Sequence, residues 1–116
     1  MTKLPIFLNI KPFSSNGAWK GRKKKTDKYI SFEKEVYYTL PKNVVIPEGK
    51  LKVYYEFGLS SKSGDGDNCI KQFQDVLALK YGFNDKRIYD WHVIKVDVKK
   101  GKEYIKFEIK KLLACG

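Results

Sequence analysis

The sequence predicts an α+β fold: one mixed β-sheet with two helices on one of its faces. Three features carry that expectation. Two segments repeat apolar residues at helical spacing, and four alternate them at the two-residue period of a strand. The segments fall in the order β-α-β-α-β-β, and the last two strands flank a short turn, which predicts a terminal antiparallel hairpin.

Taken in order, LPIFLNIKP mixes apolar and polar residues at short period and stops at Pro12, as an opening strand does. Residues 13–28, FSSNGAWKGRKKKTDK, carry Ser14, Ser15, Asn16, Gly17 and Gly21 without an apolar period, so they read as a loop. The first helix is expected over 29–40, where Tyr29, Phe32, Val36 and Tyr37 share a face and Pro41 ends the run. KLKVYYEFGLS, residues 50–60, alternates and is rich in β-branched and aromatic residues, so Tyr54, Tyr55 and Phe57 read as sheet residues, closed off by Gly58 and a Ser-Lys-Ser-Gly turn. A second helix is expected over 67–81: Asp67 suits its N-cap, Ile70, Phe73, Val76 and Leu77 face a core, and Gly82 stops it. RIYDWHVIKVDV (87–98) and EYIKFEIKKL (103–112) then alternate on either side of Lys99-Lys100-Gly101-Lys102. Strand spacing puts His92 on the side of Ile88 and Asp90. With no internal repeat and no interior linker, residues 1–116 read as one domain.

The formal charge of +11, from 24 Lys and Arg against 13 Asp and Glu, is spread along the chain rather than gathered in a tail. Such a balance points to a polyanion, DNA or RNA before an anionic membrane surface. LPIFLNI and KLLACG are far shorter than the ~20 apolar residues a membrane crossing needs, so a soluble, cytoplasmic protein without a membrane partner is expected. Cys69 and Cys115 form neither a Cys-x-x-Cys pair nor a disulfide framework, and His92 alone leaves too few ligands for structural zinc. Cys69 reads as a small buried residue, and no small-molecule cofactor is expected.

The chemistry concentrates in SGDGDNCIK, residues 63–71. In an extended segment side chains two apart point the same way, so Asp65 and Asp67 converge, with Gly66 leaving room between them. Two carboxylates forced together repel unless a divalent cation sits between them, and hard oxygen ligands suit Mg²⁺, with Mn²⁺ as the alternative. Lys71 stands one turn after Asp67, and Asp75 one turn further. That set can hydrolyse a phosphodiester, the metal polarising the phosphoryl group and the lysine neutralising developing charge. Asp85, near the start of the next strand, is a candidate third ligand. The same residues also spell a turn with an N-cap and an ordinary surface ion pair. A calcium EF-hand is excluded, because Cys69, Ile70 and Val76 occupy its ligand, glycine and glutamate positions.

Asp65-Gly66-Asp67-Asn68-x-x-Lys71-x-x-x-Asp75-x-Leu77 resembles the D-x-D-N-x-x-K-x-x-x-D-x-L signature of RusA-like Holliday junction resolvases. Asn16-Gly17-Ala18-Trp19 with KGRKKKTDKY resembles that family's early basic loop, and Lys86-Arg87-Ile88-Tyr89-Asp90 the segment after its last acid. The likeness spans most of residues 10–112. It implies a Mg²⁺-dependent homodimeric endonuclease that nicks four-way DNA junctions symmetrically in recombination and repair, of a type frequent in phage and prophage genomes. Carried over by position, Asp65, Asp67 and Asp85 would be the essential carboxylates and Lys71 the catalytic cation. Here Gly82-Phe83-Asn84-Asp85 replaces the family's longer G-x-x-x-D-D turn, so Asp85 is assigned by its distance from Asp90.

Lys20, Arg22, Lys23, Lys24, Lys25 and Lys28 are candidate backbone contacts, and Trp19 a candidate stacking platform for an unpaired base. Asn16 joins them through the family resemblance. Two symmetric nicks need two active sites in fixed relation, hence a homodimer on branched DNA. The competing reading is a non-catalytic branched-DNA-binding module, for which the basic loop suffices while the aspartates cap a helix.

Overall fold

The computed structural model describes residues 5–12, 19–20, 24–25, 27–60 and 67–113, with backbone alone at 19–20, 24–25 and 67–69. In chain order the elements are β1 (Ile6–Leu8), β2 (Trp19–Lys20), β3 (Lys24–Lys25), α1 (Asp27–Thr39), β4 (Leu51–Leu59), α2 (Asp67–Tyr81), a 3₁₀ turn (Asp85–Arg87), β5 (Ile88–Asp97) and β6 (Tyr104–Lys111). Four strands form one mixed sheet in the order β1-β6-β4-β5. β4 is central because its alternation is strict: Leu51, Val53, Tyr55, Phe57 and Leu59 are all buried on one face. Ile105, Phe107 and Ile109 of β6 and Ile6 and Leu8 of β1 extend that face. Both helices cover it. α1 contributes Tyr29, Phe32 and Val36, and α2 contributes Phe73, Val76 and Leu77.

The α+β class and the two helices match the expectation, while the pairing order refines it. β5 lies parallel to β4 and β6 antiparallel to it, so the last two strands do run antiparallel, with β4 inserted between them. The six residues 98–103 are enough to step over one strand, since neighbours sit about 4.8 Å apart. Tyr89 is an extra residue on β5: Leu51 pairs with Ile88, but Lys52 pairs with Asp90. This bulge breaks the period of two. Ile88 is buried on the helix side, whereas Asp90 pairs with Lys52 and His92 with Tyr54 on the open face, which corrects the expectation that all three share a side. The stretch read as a plain loop contains the short antiparallel ribbon β2–β3.

Helix α2 ends where Gly82 adopts φ +67°, a conformation only glycine takes without strain, and its N–H reaches the carbonyl of Ala78 at 2.9 Å. Arg87 then ties the start of β5 to the preceding loop, donating to the carbonyls of Gly49 (2.9 Å) and Pro47. Tyr81 does the same for α1, its hydroxyl donating to the carbonyl of Pro41 at 2.9 Å.

On the open face Tyr54 and Tyr104 both donate to the Glu56 carboxylate, each at 2.5 Å. The Tyr104 bond, then the Tyr54 bond, holds the Glu56 carboxyl below its ordinary value of 4.5, and the same contact pushes the Tyr104 phenol up to about 12. The Tyr104 ring lies over Gly58, stacked on Phe7 at 5.0 Å. A Cβ at residue 58 would stand 2.4 Å from that ring.

Gly58→Ala should therefore cost about 1–3 kcal/mol in urea unfolding, and much less in a Tyr104→Ala background where the ring is gone. Because the folded-state pKa of Glu56 is lowered, its contribution is present above about pH 4.5 and fades as pH falls further. Glu56→Gln should flatten the acid limb of the stability curve between pH 5 and about pH 3.

Candidate active site

Helix α2 positions the expected catalytic residues. Its anchor is Phe73, fully buried, whose ring meets Tyr55, Phe57 and Phe107 edge-on at centroid distances of 5.5, 6.1 and 5.4 Å. The next residue, Gln74, sets the rotation about the helix axis: its Oε1 accepts from the Tyr55 hydroxyl at 3.0 Å and from the Trp91 indole at 2.9 Å. Position 67 lies seven residues earlier, about two full turns, and so falls on the same side of α2 as Gln74. Sequence periodicity alone gives no reason to single out Gln74, because a glutamine at this spacing reads as solvent-facing.

Asp67 is the first residue of α2 and is described in its backbone, while Asp65 lies outside the described residues. Lys71 is exposed, and its Nζ stands 3.5 Å from Asp75 across one helical turn. Such a pair is weak in solvent and leaves the ammonium free to meet an anion.

Asp85 opens the 3₁₀ turn after α2, beside Asn84, whose side chain accepts from the Lys86 N–H at 2.9 Å. It is exposed, and its charge adds to the burial that pushes the Tyr55 phenol upward. The turn leads straight into Ile88, which pairs with Leu51 at the start of β4. Asp67, in contrast, follows the far end of β4, because α2 is the crossover between two parallel strands. From Asp67 to Tyr81 the helix rises about 21 Å. A Mg²⁺ ion holds its oxygens at about 2.1 Å, so within one protomer Asp85 does not share an ion with Asp67.

The basic loop is only partly in view. Asn16, Arg22 and Lys23 lie outside the described residues; Trp19 and Lys20 pair with Lys25 and Lys24 through their backbones as the β2–β3 ribbon. Lys28 is exposed in the first turn of α1. His92 is on the opposite sheet face from α2, its Nε2 3.4 Å from Asp90 Oδ1, at the rim of a depression of about 220 Å³ lined by Lys52, Tyr54, Glu108 and Lys110. It therefore stands apart from α2. Among the described residues no three His, Cys, Asp or Glu converge on one point. The Cys69 side chain and Cys115 fall outside that description, as do Asp65 and the Asp67 carboxylate. No helix among the described residues is long and apolar enough to cross a membrane.

Compared with known proteins, the chain matches no protein-family model and no curated protein.

The contrast between the two neighbouring polar residues is measurable. Lys71→Gln should leave stability within about 0.5 kcal/mol of wild type, as befits an exposed ion pair. Gln74→Leu should cost about 2–3 kcal/mol in urea unfolding, since the buried Tyr55 hydroxyl and the Trp91 indole both lose their acceptor.

Proposed function

We propose that this chain is a Mg²⁺-dependent endodeoxyribonuclease of the RusA-like Holliday junction resolvase kind, active as a homodimer that nicks four-way junctions in pairs. The observation that carries the reading is the start of α2: the Asp65-Gly66-Asp67 segment leads directly into a helix whose first turns present Lys71 to solvent. A helix N-terminus adds a partial positive charge where a phosphodiester must approach.

In this reading Asp65 and Asp67 would hold the ion, which when bound polarises the phosphoryl oxygens and acidifies a water molecule. Mn²⁺, with similar oxygen preference, would substitute. Lys71 neutralises charge that builds on the phosphate oxygens as the bond breaks. Its ion-pair partner among the described residues, Asp75, is one turn further from the helix start, so the ammonium can swing toward the aspartates without leaving a buried carboxylate unpaired. The β2–β3 ribbon with Lys20, Lys24 and Lys25, continued by Arg22, Lys23 and Lys28, would grip the DNA backbone without reading sequence.

The test is a synthetic four-way junction incubated with Mg²⁺ and with a chelator. Paired nicks in Mg²⁺ alone are expected; binding without cutting under every metal would identify a non-catalytic junction-binding module instead. Asp67→Asn should abolish cleavage while leaving junction binding intact, and Lys71→Gln should lower the cleavage rate about 10²- to 10³-fold. Replacing Lys23, Lys24 and Lys25 together by Ala should reduce the salt slope of junction binding by about 3. Competition among junction, flap, duplex and RNA substrates separates a resolvase from a broader structure-specific nuclease.

A further inference from the structure

The face of the sheet turned away from both helices is covered by no described element, yet it is not built as a plain solvated surface. Two aromatic rings lie at its β1–β6 side: Phe7, 54% exposed between the buried Ile6 and Leu8, is stacked on Tyr104 at 5.0 Å with 20° between the ring planes. Tyr104 is held against the sheet. Gly58 offers no Cβ beneath its ring, and its hydroxyl is tied to the Glu56 carboxylate, so the two rings form a fixed platform rather than mobile side chains. The outer ring leaves apolar surface in water that a flat partner would cover.

Cations stand beside this platform and beyond it. Lys106 lies between Phe7 and Glu56 in the strand register, and four residues along the same strand Lys110 faces Lys52 directly across the β6–β4 pair. Like charges set opposite each other cost stability unless an anion lies between them. Lys52, Lys110 and His92 open together on the depression of about 220 Å³. The acids of this face are each engaged: Glu56 by two tyrosines, Glu108 by Lys110, and Asp90 at 3.4 Å from His92. Lys52 and Lys106 make no ion pair with a described residue. From Tyr104 to Lys110 the strand runs about 20 Å, with the rings at one end and the paired lysines at the other.

Such a track suits a chain that offers a flat apolar face and a negative charge at every step. An unpaired nucleic-acid strand offers both. A duplex keeps its base faces inside its own stack, and an acidic peptide has charge without a planar face at each step. We propose that the open face of the sheet binds single-stranded nucleic acid, a base stacking on Phe7 and Tyr104 while the backbone phosphates follow Lys106 to the Lys52–Lys110 depression. This surface is separate from α2, which packs on the other face, and it stands whether or not α2 carries a nuclease.

Fluorescence anisotropy of labelled oligo(dT) and oligo(rU), with a duplex of equal length beside them, tests this in chelator, where no cutting intervenes. The unpaired strand should bind more tightly than the duplex. Phe7→Ala should weaken single-strand binding about 5- to 150-fold, the loss of one base–ring stack, without changing duplex affinity, and Phe7→Trp should restore it. Replacing Lys52 and Lys110 together by Ala should lower the salt slope for the single strand by about 1.4. Photocrosslinks from iodouracil-substituted strands to the wild-type protein should map to Phe7 or Tyr104. Binding of either sugar supports the surface, and the difference between oligo(dT) and oligo(rU) identifies which strand it prefers. Single-strand affinity unchanged in Phe7→Ala, an equal loss for the duplex, or crosslinks confined to residues 19–28 overturns it. Should Phe7→Ala fail to fold, the wild-type crosslink decides.

Discussion

The packing of one ring fixes most of what this molecule can do. Phe73 sits edge-on among Tyr55, Phe57 and Phe107 and locks α2 over the middle of the sheet, running back from the Leu59 end of β4 toward the Leu51 end. Each such aromatic contact adds about 0.5–1.5 kcal/mol beyond the buried area. Gln74 then selects the rotation, because only one azimuth lets a single amide oxygen serve both Tyr55 and Trp91. Three consecutive residues, Gln72, Phe73 and Gln74, are buried, which an amphipathic helix on a surface does not allow. α2 is sandwiched: the sheet takes Phe73 and Gln74, and α1 closes over the Val76 side. The position is held despite a cost, since neither polar atom of Gln72 finds a hydrogen-bond partner among the described residues.

From that placement the site geometry follows without further assumption. A helix that links two parallel strands must carry its first and last residues to opposite ends of the sheet. Asp67 and Asp85 bracket α2, so their separation is a consequence of topology, not of side-chain choice. Lys71 belongs to the Asp67 end, and the Arg87 contacts with Gly49 and Pro47 fasten Asp85's turn to the other. Three other acids are engaged: Glu56 by two tyrosines, Glu108 by Lys110 at 2.9 Å, and Glu103 by Ser60 at 2.6 Å. Asp85 is exposed just before β5, on whose outer side no described strand pairs.

What was legible in the sequence was whatever is local. Tyr29, Phe32 and Val36 announce α1, the strict alternation from Leu51 to Leu59 announces β4, and Gly82 marks the end of α2 because a left-handed residue is needed there. The spacing of Asp67, Lys71 and Asp75 on one helix was equally plain, and the Lys71–Asp75 contact follows from it. Pairing order was not legible, since the Lys99–Lys102 turn suits a hairpin and equally a step across β4. The bulge at Tyr89 left no signal in a run of alternating residues, yet it sends Ile88 and His92 to opposite faces. Nor did the β2–β3 ribbon, made of Trp19, Lys20, Lys24 and Lys25, show the apolar alternation by which strands are recognised. Whether Asp85 lies with Asp67 depends on β4 and β5 being parallel, a long-range fact that no local motif encodes.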